Sequence, residues 1–193
     1  MRIDFAAATV ARAARFRAAF VRALGCCLLV ALPAHAYAQV SEYELKAAFL
    51  FNFALFTQPT TAAVKPAVLD AEPYRICIYG KDPFGAAART LNARLIAGRP
   101  IVVKVVFAVE ELKRCQLVFI GDSEPESARR AANAVSGLPI ITVAESKDFP
   151  ATAAIFNLLL VDDKVAFQVN MQAARSHQLE VSAKLTRLAK NVH

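Results

Sequence analysis

The sequence predicts an α/β domain: a mixed, mostly parallel sheet with helices on both faces (three-layer) and a C-terminal antiparallel hairpin. Three observations carry this. Four short apolar, β-branched segments alternate with helical segments between residues 74 and 143. One of them, Gln116 to Ile120, is apolar almost throughout, as a strand covered on both faces requires. Two further strand-like runs, Ile155–Val161 and Val165–Asn170, meet at Asp162-Asp163, the spacing of a hairpin.

The first 38 residues stand apart from this pattern. Arg2, Arg12, Arg15, Arg17 and Arg22, against the single acid Asp4, give a positive start. An apolar run follows from Ala23 to Leu32, and Pro33 ends it. Small residues at Ala34-His35-Ala36 and Ala36-Tyr37-Ala38 then suit signal peptidase. Residues 1–38 therefore read as a cleavable signal peptide, cut after Ala38, and residues 39–193 as one exported domain. The apolar run is too short for a permanent membrane helix. A mitochondrial transit peptide shares the Arg- and Ala-rich start but not the compact apolar run with its small-residue exit. A lipoprotein signal would need the cysteine of Leu24-Gly25-Cys26 at the end of the apolar run, which instead continues past it.

Export changes the charge argument. The whole chain carries +7, but without the leader 18 basic face 15 acidic residues. Arg129-Arg130 and Lys113-Arg114 are isolated pairs of surface type, and no basic cluster is interleaved with aromatics. Nucleic acid is therefore not an expected partner. Cys26 and Cys27 leave with the leader, and Cys77 and Cys115 remain. In the oxidising periplasm two such thiols form a disulfide; the alternative is two separate buried thiols, and the compartment favours the bridge.

Along the domain, Ser41 with Glu44 three residues on makes a capping box for a helix over 42–57. Leu45, Phe49, Phe53 and Phe56 form its stripe, while Phe51 and Leu55 lie off it. A helix apolar nearly all round is buried in the core or covered by a second subunit. Residues 58–73, with Pro59, Pro66 and Pro73, read as a loop. Tyr74–Tyr79 is a strand ended by Gly80. Asp82 caps the next helix, with Pro83 at its first position, to about Ala93.

Gly98-Arg99 is a turn, Ile101–Phe107 a strand and Val109–Lys113 a helical turn. Gly121 ends the strand Gln116–Ile120. Ser123-Glu124-Pro125 starts a helix to Val135, closed by Gly137. Leu138–Val143 is the fourth strand and Glu145–Phe149 a turn or short helix. Asn170 caps a helix to Arg175. Val181–Val192 reads as a final amphipathic helix with Val181, Leu185, Leu188 and Val192 buried. Lys184, Arg187 and Lys190 lie off that stripe, the last two suiting the C-terminal end of the dipole.

Reactive sets are sought and not found. Gly80-Lys81-Asp82-Pro83-Phe84-Gly85 has two glycines at P-loop spacing, but Ala86-Ala87 replace the required Lys-Ser/Thr. Asp82 would also repel a phosphate. His177 is the only histidine away from the leader and the last residue, so there is no zinc set and no triad; it reads as a surface residue between two helices. Glu110-Glu111 opens a helical turn and Asp162-Asp163 makes a hairpin turn, both structural uses of paired acids. The expectation is a protein with no catalytic residues, no cofactor and no metal.

Several segments together resemble the YfiR family, from Leu45 to Ala189. Leu45-Lys46-Ala47-Ala48-Phe49-Leu50-Phe51-Asn52-Phe53 is similar to its first helix. Ile76-Cys77-Ile78-Tyr79-Gly80 with Asp82-Pro83-Phe84-Gly85 resembles its first strand and turn. Arg114-Cys115-Gln116-Leu117-Val118-Phe119-Ile120 resembles its cysteine-led strand. Phe167-Gln168-Val169-Asn170, Ala173-Ala174, Leu179 and Leu185-Thr186-Arg187-Leu188-Ala189 resemble its C-terminal signature.

The resemblance implies a periplasmic regulator. It would bind the periplasmic sensor region of an inner-membrane diguanylate cyclase, restraining cyclic di-GMP production and biofilm formation. It implies a homodimer, redox sensitivity through Cys77 and Cys115, and sequestration by an outer-membrane lipoprotein. Two departures stand out. A second cysteine pair of some relatives is missing, and Ala151-Thr152-Ala153-Ala154 replaces the family's Gly-Gly before the hairpin, which stiffens that loop. The partner-binding residues are not identifiable from the sequence.

Other readings remain open at this point. The partner could be the periplasmic domain of a sensor histidine kinase. A small-molecule-binding protein or enzyme would use the loops after Tyr79, Ile120 and Val143, at the strand ends where open α/β sheets bind ligands. A purely structural envelope protein has no specific signal.

Overall fold

The structure is a computed structural model and describes residues 41–60, 73–121, 125–145 and 154–192. The leader with its cleavage site, most of the loop 58–73, the helix start at Ser123-Glu124, the turn after Glu145 and Ala151–Ala153 lie outside the described residues.

The elements run α1 (Glu42–Leu55), β1 (Thr57–Pro59), β2 (Tyr74–Tyr79), α2 (Ala86–Asn92), β3 (Leu95–Ile96), β4 (Arg99–Val106), a 3-10 turn (Val109–Arg114), β5 (Leu117–Ile120), α3 (Pro125–Ala134) and β6 (Ile141–Ala144). Then come β7 (Phe156–Val161), β8 (Lys164–Val169), α4 (Met171–Ser176), β9 (Leu179–Val181), α5 (Ala183–Thr186) and β10 (Asn191–Val192). Among the described residues, one eight-stranded sheet has the order β10-β8-β7-β6-β5-β2-β4-β3. Its pairings are parallel except β7–β8 and β3–β4. The predicted fold class is the observed one.

Strand alternation divides the core between the two faces. Ile76, Ile78, Leu117, Phe119, Ile141 and Val143 face one way, into a cluster with α1 and α2. Cys77, Tyr79, Val118, Ile120 and Ala144 face the other way, under Leu112 of the 3-10 turn and Ala131, Ala132 and Val135. Both sides of β5 are therefore buried, as its unbroken Leu-Val-Phe-Ile sequence requires.

α1 keeps its capping box: Ser41 Oγ accepts from Glu44 N–H and Glu44 Oε2 accepts from Ser41 N–H. Its buried face is not the predicted stripe. It runs through Lys46, Ala47, Leu50, Phe53 and Ala54, while Leu45 and Leu55 reach solvent. The small residues Ala47 and Ala54 let the helix sit close to the sheet. Phe53 stacks on Phe156 with ring centroids 4.0 Å apart, and Phe167 closes against both. Half-buried Phe51 and Phe56 are covered from outside by Arg94 and Lys184 over their rings.

Two turns match their sequences closely. Asp162 and Asp163 both take positive φ, +49° and +57°, and make the two-residue turn of the β7–β8 hairpin. Asn170 Oδ1 accepts from Ala173 N–H and caps α4. The expected cap at Asp82 is different. Asp82 Oδ1 accepts from Phe84 and Gly85 N–H in a local turn, and α2 starts only at Ala86. Phe84 is the reason: it is buried edge-on between Tyr43 and Phe119, which holds the chain out of helix for one more turn.

The final helix is a misreading. Gln178 turns the chain at φ +56°, and Leu179–Val181 pairs antiparallel with β1 in a separate two-stranded ribbon. Ser182 then caps one short helical turn, and Asn191–Val192 adds to β8 as a parallel edge strand. Of the predicted stripe only Leu185 is buried, and Leu188 is 69 % exposed. Long-range strand pairing outweighs the local helical period here.

On the sheet's open side at β4, two N–H groups are engaged by neighbouring groups. Ile101 N–H donates to the Arg94 carbonyl at 3.1 Å, and Val103 N–H donates to Asn92 Oδ1 at 2.8 Å.

Candidate functional site

Cys77 and Cys115 form a disulfide, with Cα atoms 6.0 Å apart and a sequence separation of 38. Parallel register aligns Cys77 with Val118 on β5. The bridge therefore reaches back from mid-β2 to the residue that ends the 3-10 turn. Cys115 N–H donates to the Leu112 carbonyl, closing that turn. Beside it, Gln116 N–H donates to the Arg75 carbonyl at 3.0 Å, and Gln116 Oε1 accepts from Arg75 N–H at 2.7 Å. The bridge and this paired contact fix the entry to β5 against β2. Both sulfurs are buried among Tyr79, Val106, Leu112 and Val118.

Cys115 is also part of a cavity of about 700 Å³. It lies where the parallel strands begin. Tyr74, Gln116 and Ile141 contribute their N-terminal ends, Ala54 and Leu55 the end of α1, and Thr57 with Leu179 the β1–β9 ribbon. Ile96, Ala97 and Arg99 come from the β3–β4 turn, and Lys113 from the 3-10 turn. The Arg99 guanidinium lies over the Tyr74 ring at 5.5 Å, and its Nη2 donates to the Pro73 carbonyl at 3.2 Å. Burial raises the Tyr74 pKa well above the usual phenol value, with Arg99 opposing, so its hydroxyl stays protonated. Thr57 is 5 % exposed, and its Oγ1 has no hydrogen-bond partner among the described residues.

The opposite ends of the strands were the alternative location for a ligand site. After β2, Phe84 fills the space between Tyr43 and Phe119, while most of the loops after Ile120 and Val143 lie outside the described residues. Next to it, Lys46 is 2 % exposed and pairs with both Glu42 and Glu145. Burial is the largest influence on this ammonium and opposes its charge. The hydrogen bonds to Glu145 and Glu42 outweigh it, so the Lys46 pKa lies above the usual amine value. The neighbouring Tyr43 hydroxyl is raised too, first by burial and then by the Glu145 charge. Nothing in the sequence pattern marks Lys46 as buried; it lies within an apolar helix, where a lone lysine reads as solvent-facing.

His177 corrects the expectation of a surface residue. It is 5 % exposed, and its Nδ1–H donates to the Leu138 carbonyl at 2.9 Å. Burial lowers its pKa, with the backbone hydrogen bonds to Leu138 and Ile140 opposing. Glu110 and Glu111 lie in the first turn of the 3-10 segment, and Glu111 pairs with Lys104 at 2.8 Å. Among the described residues, no three His, Cys, Asp or Glu side chains gather as a metal site, and no helix is long and apolar enough to cross a membrane.

Taken together, the described residues form an α/β domain whose mixed sheet is braced by one disulfide and carries a mainly apolar cavity at the strand starts. A family model described as YfiR/HmsC-like matches residues 43–190. The chain belongs to the YfiR/HmsC-like family. No curated protein matches it significantly.

Proposed function

We propose that the chain is a periplasmic regulatory binding protein that restrains an inner-membrane diguanylate cyclase by binding its periplasmic sensor region. Residues 1–38 deliver it and are removed, and residues 39–193 act, as a homodimer. An outer-membrane lipoprotein is the natural counter-partner. Output comes from docking and not from turnover. The single observation that supports this most is the family match across residues 43–190, which spans both cysteines and the C-terminal segments.

Restraint works by population shift. The regulator holds the cyclase in its inactive state only as far as it prefers that state, so a tenfold preference corresponds to about 1.4 kcal/mol. The Cys77–Cys115 bridge tunes this by fixing β2 against the 3-10 turn. The experiment is genetic and quantitative. Deleting the gene raises cellular cyclic di-GMP, and deleting the partner cyclase as well removes the rise. An unchanged cyclic di-GMP level in the single deletion overturns the reading.

A further inference from the structure

We propose that His177 is a proton-operated latch: its imidazole holds the junction between α4 and the β1–β9 ribbon against the approach to β6, and protonation releases the ribbon while the main sheet stays folded. The proposal does not rest on the regulatory reading and stands whatever the partner is.

Its first support is position. His177 is the C-cap of α4, and Gln178 then turns the chain at φ +56° into β9. That left-handed conformation is costly for a residue with a Cβ, so the junction holds strain that an opening relieves. The imidazole donates to the Leu138 carbonyl at 2.9 Å, which fastens this hinge to the segment leading into β6. Beyond the hinge, β9 pairs with β1 over three residues, in a ribbon separate from the eight-stranded sheet. A strained hinge followed by a small separate ribbon is a unit that opens locally at less cost than the whole fold.

Its second support is the surroundings of the ring. His177 is buried and lines a crevice of about 320 Å³ between α3 and α4. Asn133, Ser136, Gln172 and Ser176 line the same crevice, all of them polar and uncharged. The charged side chains on the elements around it are Arg129 and Arg130 on α3, Arg175 on α4 and Glu180 on β9, and all four are exposed. The Leu138–Ile140 segment has none. Among the described residues no carboxylate pairs with the ring. The crevice gives a proton a route to the ring and offers no counter-charge once it arrives.

Its third support is the sign of the effect. Protonation leaves the Nδ1–H bond to Leu138 in place but puts a full charge on a ring held largely out of water. The carbonyls of Leu138 and Ile140 and the end of α4 favour that charge, and burial outweighs them. The closed arrangement is therefore fully favoured above the ordinary imidazole value of 6.5 and weakens as pH falls through it. Opening places the imidazolium in water. Thr57, Leu138, Pro139, Ile140 and Leu179 all line the cavity at the strand starts, so the same event opens one wall of that cavity.

The test is hydrogen exchange of protein purified from the periplasm of an expressing cell, at pH 7.5 and pH 5, corrected for the intrinsic effect of pH. Residues 178–182 are expected to exchange about threefold faster or more at pH 5, while residues 74–79 and 117–120 keep their protection. His177→Gln keeps a donor for the Leu138 carbonyl and cannot be charged, so its ribbon exchanges equally at both values. A proton NMR titration of the His177 ring in the wild type gives a second reading that needs no variant. The ring titrates below the ordinary imidazole value, and ribbon exchange quickens between that midpoint and the ordinary value. The proposal is overturned by equal ribbon exchange at both pH values in the wild type, or by a pH response that survives in His177→Gln. It is overturned equally by a ring that titrates at or above the ordinary value, or by protection lost in all strands together.

Discussion

The ammonium of Lys46, buried in the middle of α1, rests on the carboxylate of Glu145, 99 residues away at the end of β6. This contact joins the first helix to the centre of the sheet at the point where Tyr43 and Phe84 also meet. Glu42 and Glu145 both reach solvent, so neither is left fully stranded when the lysine is removed.

For that reason Lys46→Ala is expected to lower unfolding free energy by about 1–3 kcal/mol, less than the ~3–5 kcal/mol of breaking a fully buried pair. Lys46→Met keeps the apolar stem and costs less than Lys46→Ala. Urea unfolding of the two variants checks both statements. Equal losses would mean that the charge contributes everything and the stem nothing.

Removing the bridge acts mainly on the unfolded chain. A closed loop of 38 residues corresponds to roughly 4 kcal/mol of chain entropy at most, and the expected loss in Cys77→Ser/Cys115→Ser is about 2–4 kcal/mol. Reduction of the wild type should give the same loss, and reductant should do nothing to the double variant. Thermal melts with and without reductant decide it, and an unchanged midpoint in both removes the bridge from any account of stability.

His177 makes stability fall on acidification. Its folded pKa lies below the ordinary imidazole value near 6.5, so the unfolded chain takes up the proton first. Stability is full above the unfolded pKa and declines as pH drops through 6.5. The decline from this group levels off below the folded pKa, where both states are charged. His177→Gln should flatten the pH dependence of urea midpoints between pH 7.5 and 5. The same slope in both proteins would assign the decline to other groups.

Phe53 sits at the centre of the aromatic cluster, stacked on Phe156 and edge-on to Phe167. Phe53→Ala should cost about 3–5 kcal/mol and Phe53→Leu clearly less. Equilibrium unfolding measures both, and a loss below 1 kcal/mol for Phe53→Ala would show that the cluster closes over the gap.

The hairpin turn offers a gain. Asp163 stands at φ +57°, which suits glycine better than a residue with a Cβ. Asp163→Gly should raise stability by about 0.5 kcal/mol, and Asp163→Val should lower it by more than that. Denaturation midpoints of the pair test the sign in each direction.

What could be read from the chain was what local pattern encodes. β-Branched and apolar runs mark β2, β4, β5, β6, β7 and β8, and the Ser41–Glu44 box and the Asp162-Asp163 turn set their own geometry. Pairing between distant segments was not legible. The β1–β9 ribbon joins Thr57 to Val181, and neither short segment announces a strand. The same blindness produced the false C-terminal helix, because Val181 to Val192 has a helical period that the ribbon and β10 override. At the site, the two cysteines were visible by counting. The cavity beside them was not, since its wall comes from segments scattered between Ala54 and Leu179. Phe84, which displaces the start of α2, and His177, drawn inward by the Leu138 carbonyl, are further cases where a distant neighbour decides.

The hydrogen bonds that Asn92 and Arg94 make to β4 bear on behaviour at high concentration. An edge strand with free N–H groups is a template for a stranger's backbone, and an uncovered one seeds fibrils or misassembly. Here Ile101 and Val103 are already engaged, and on the other flank the two-residue β10 lies along β8. The chain's own groups therefore already occupy part of each sheet edge, which leaves less backbone there for another chain to pair with.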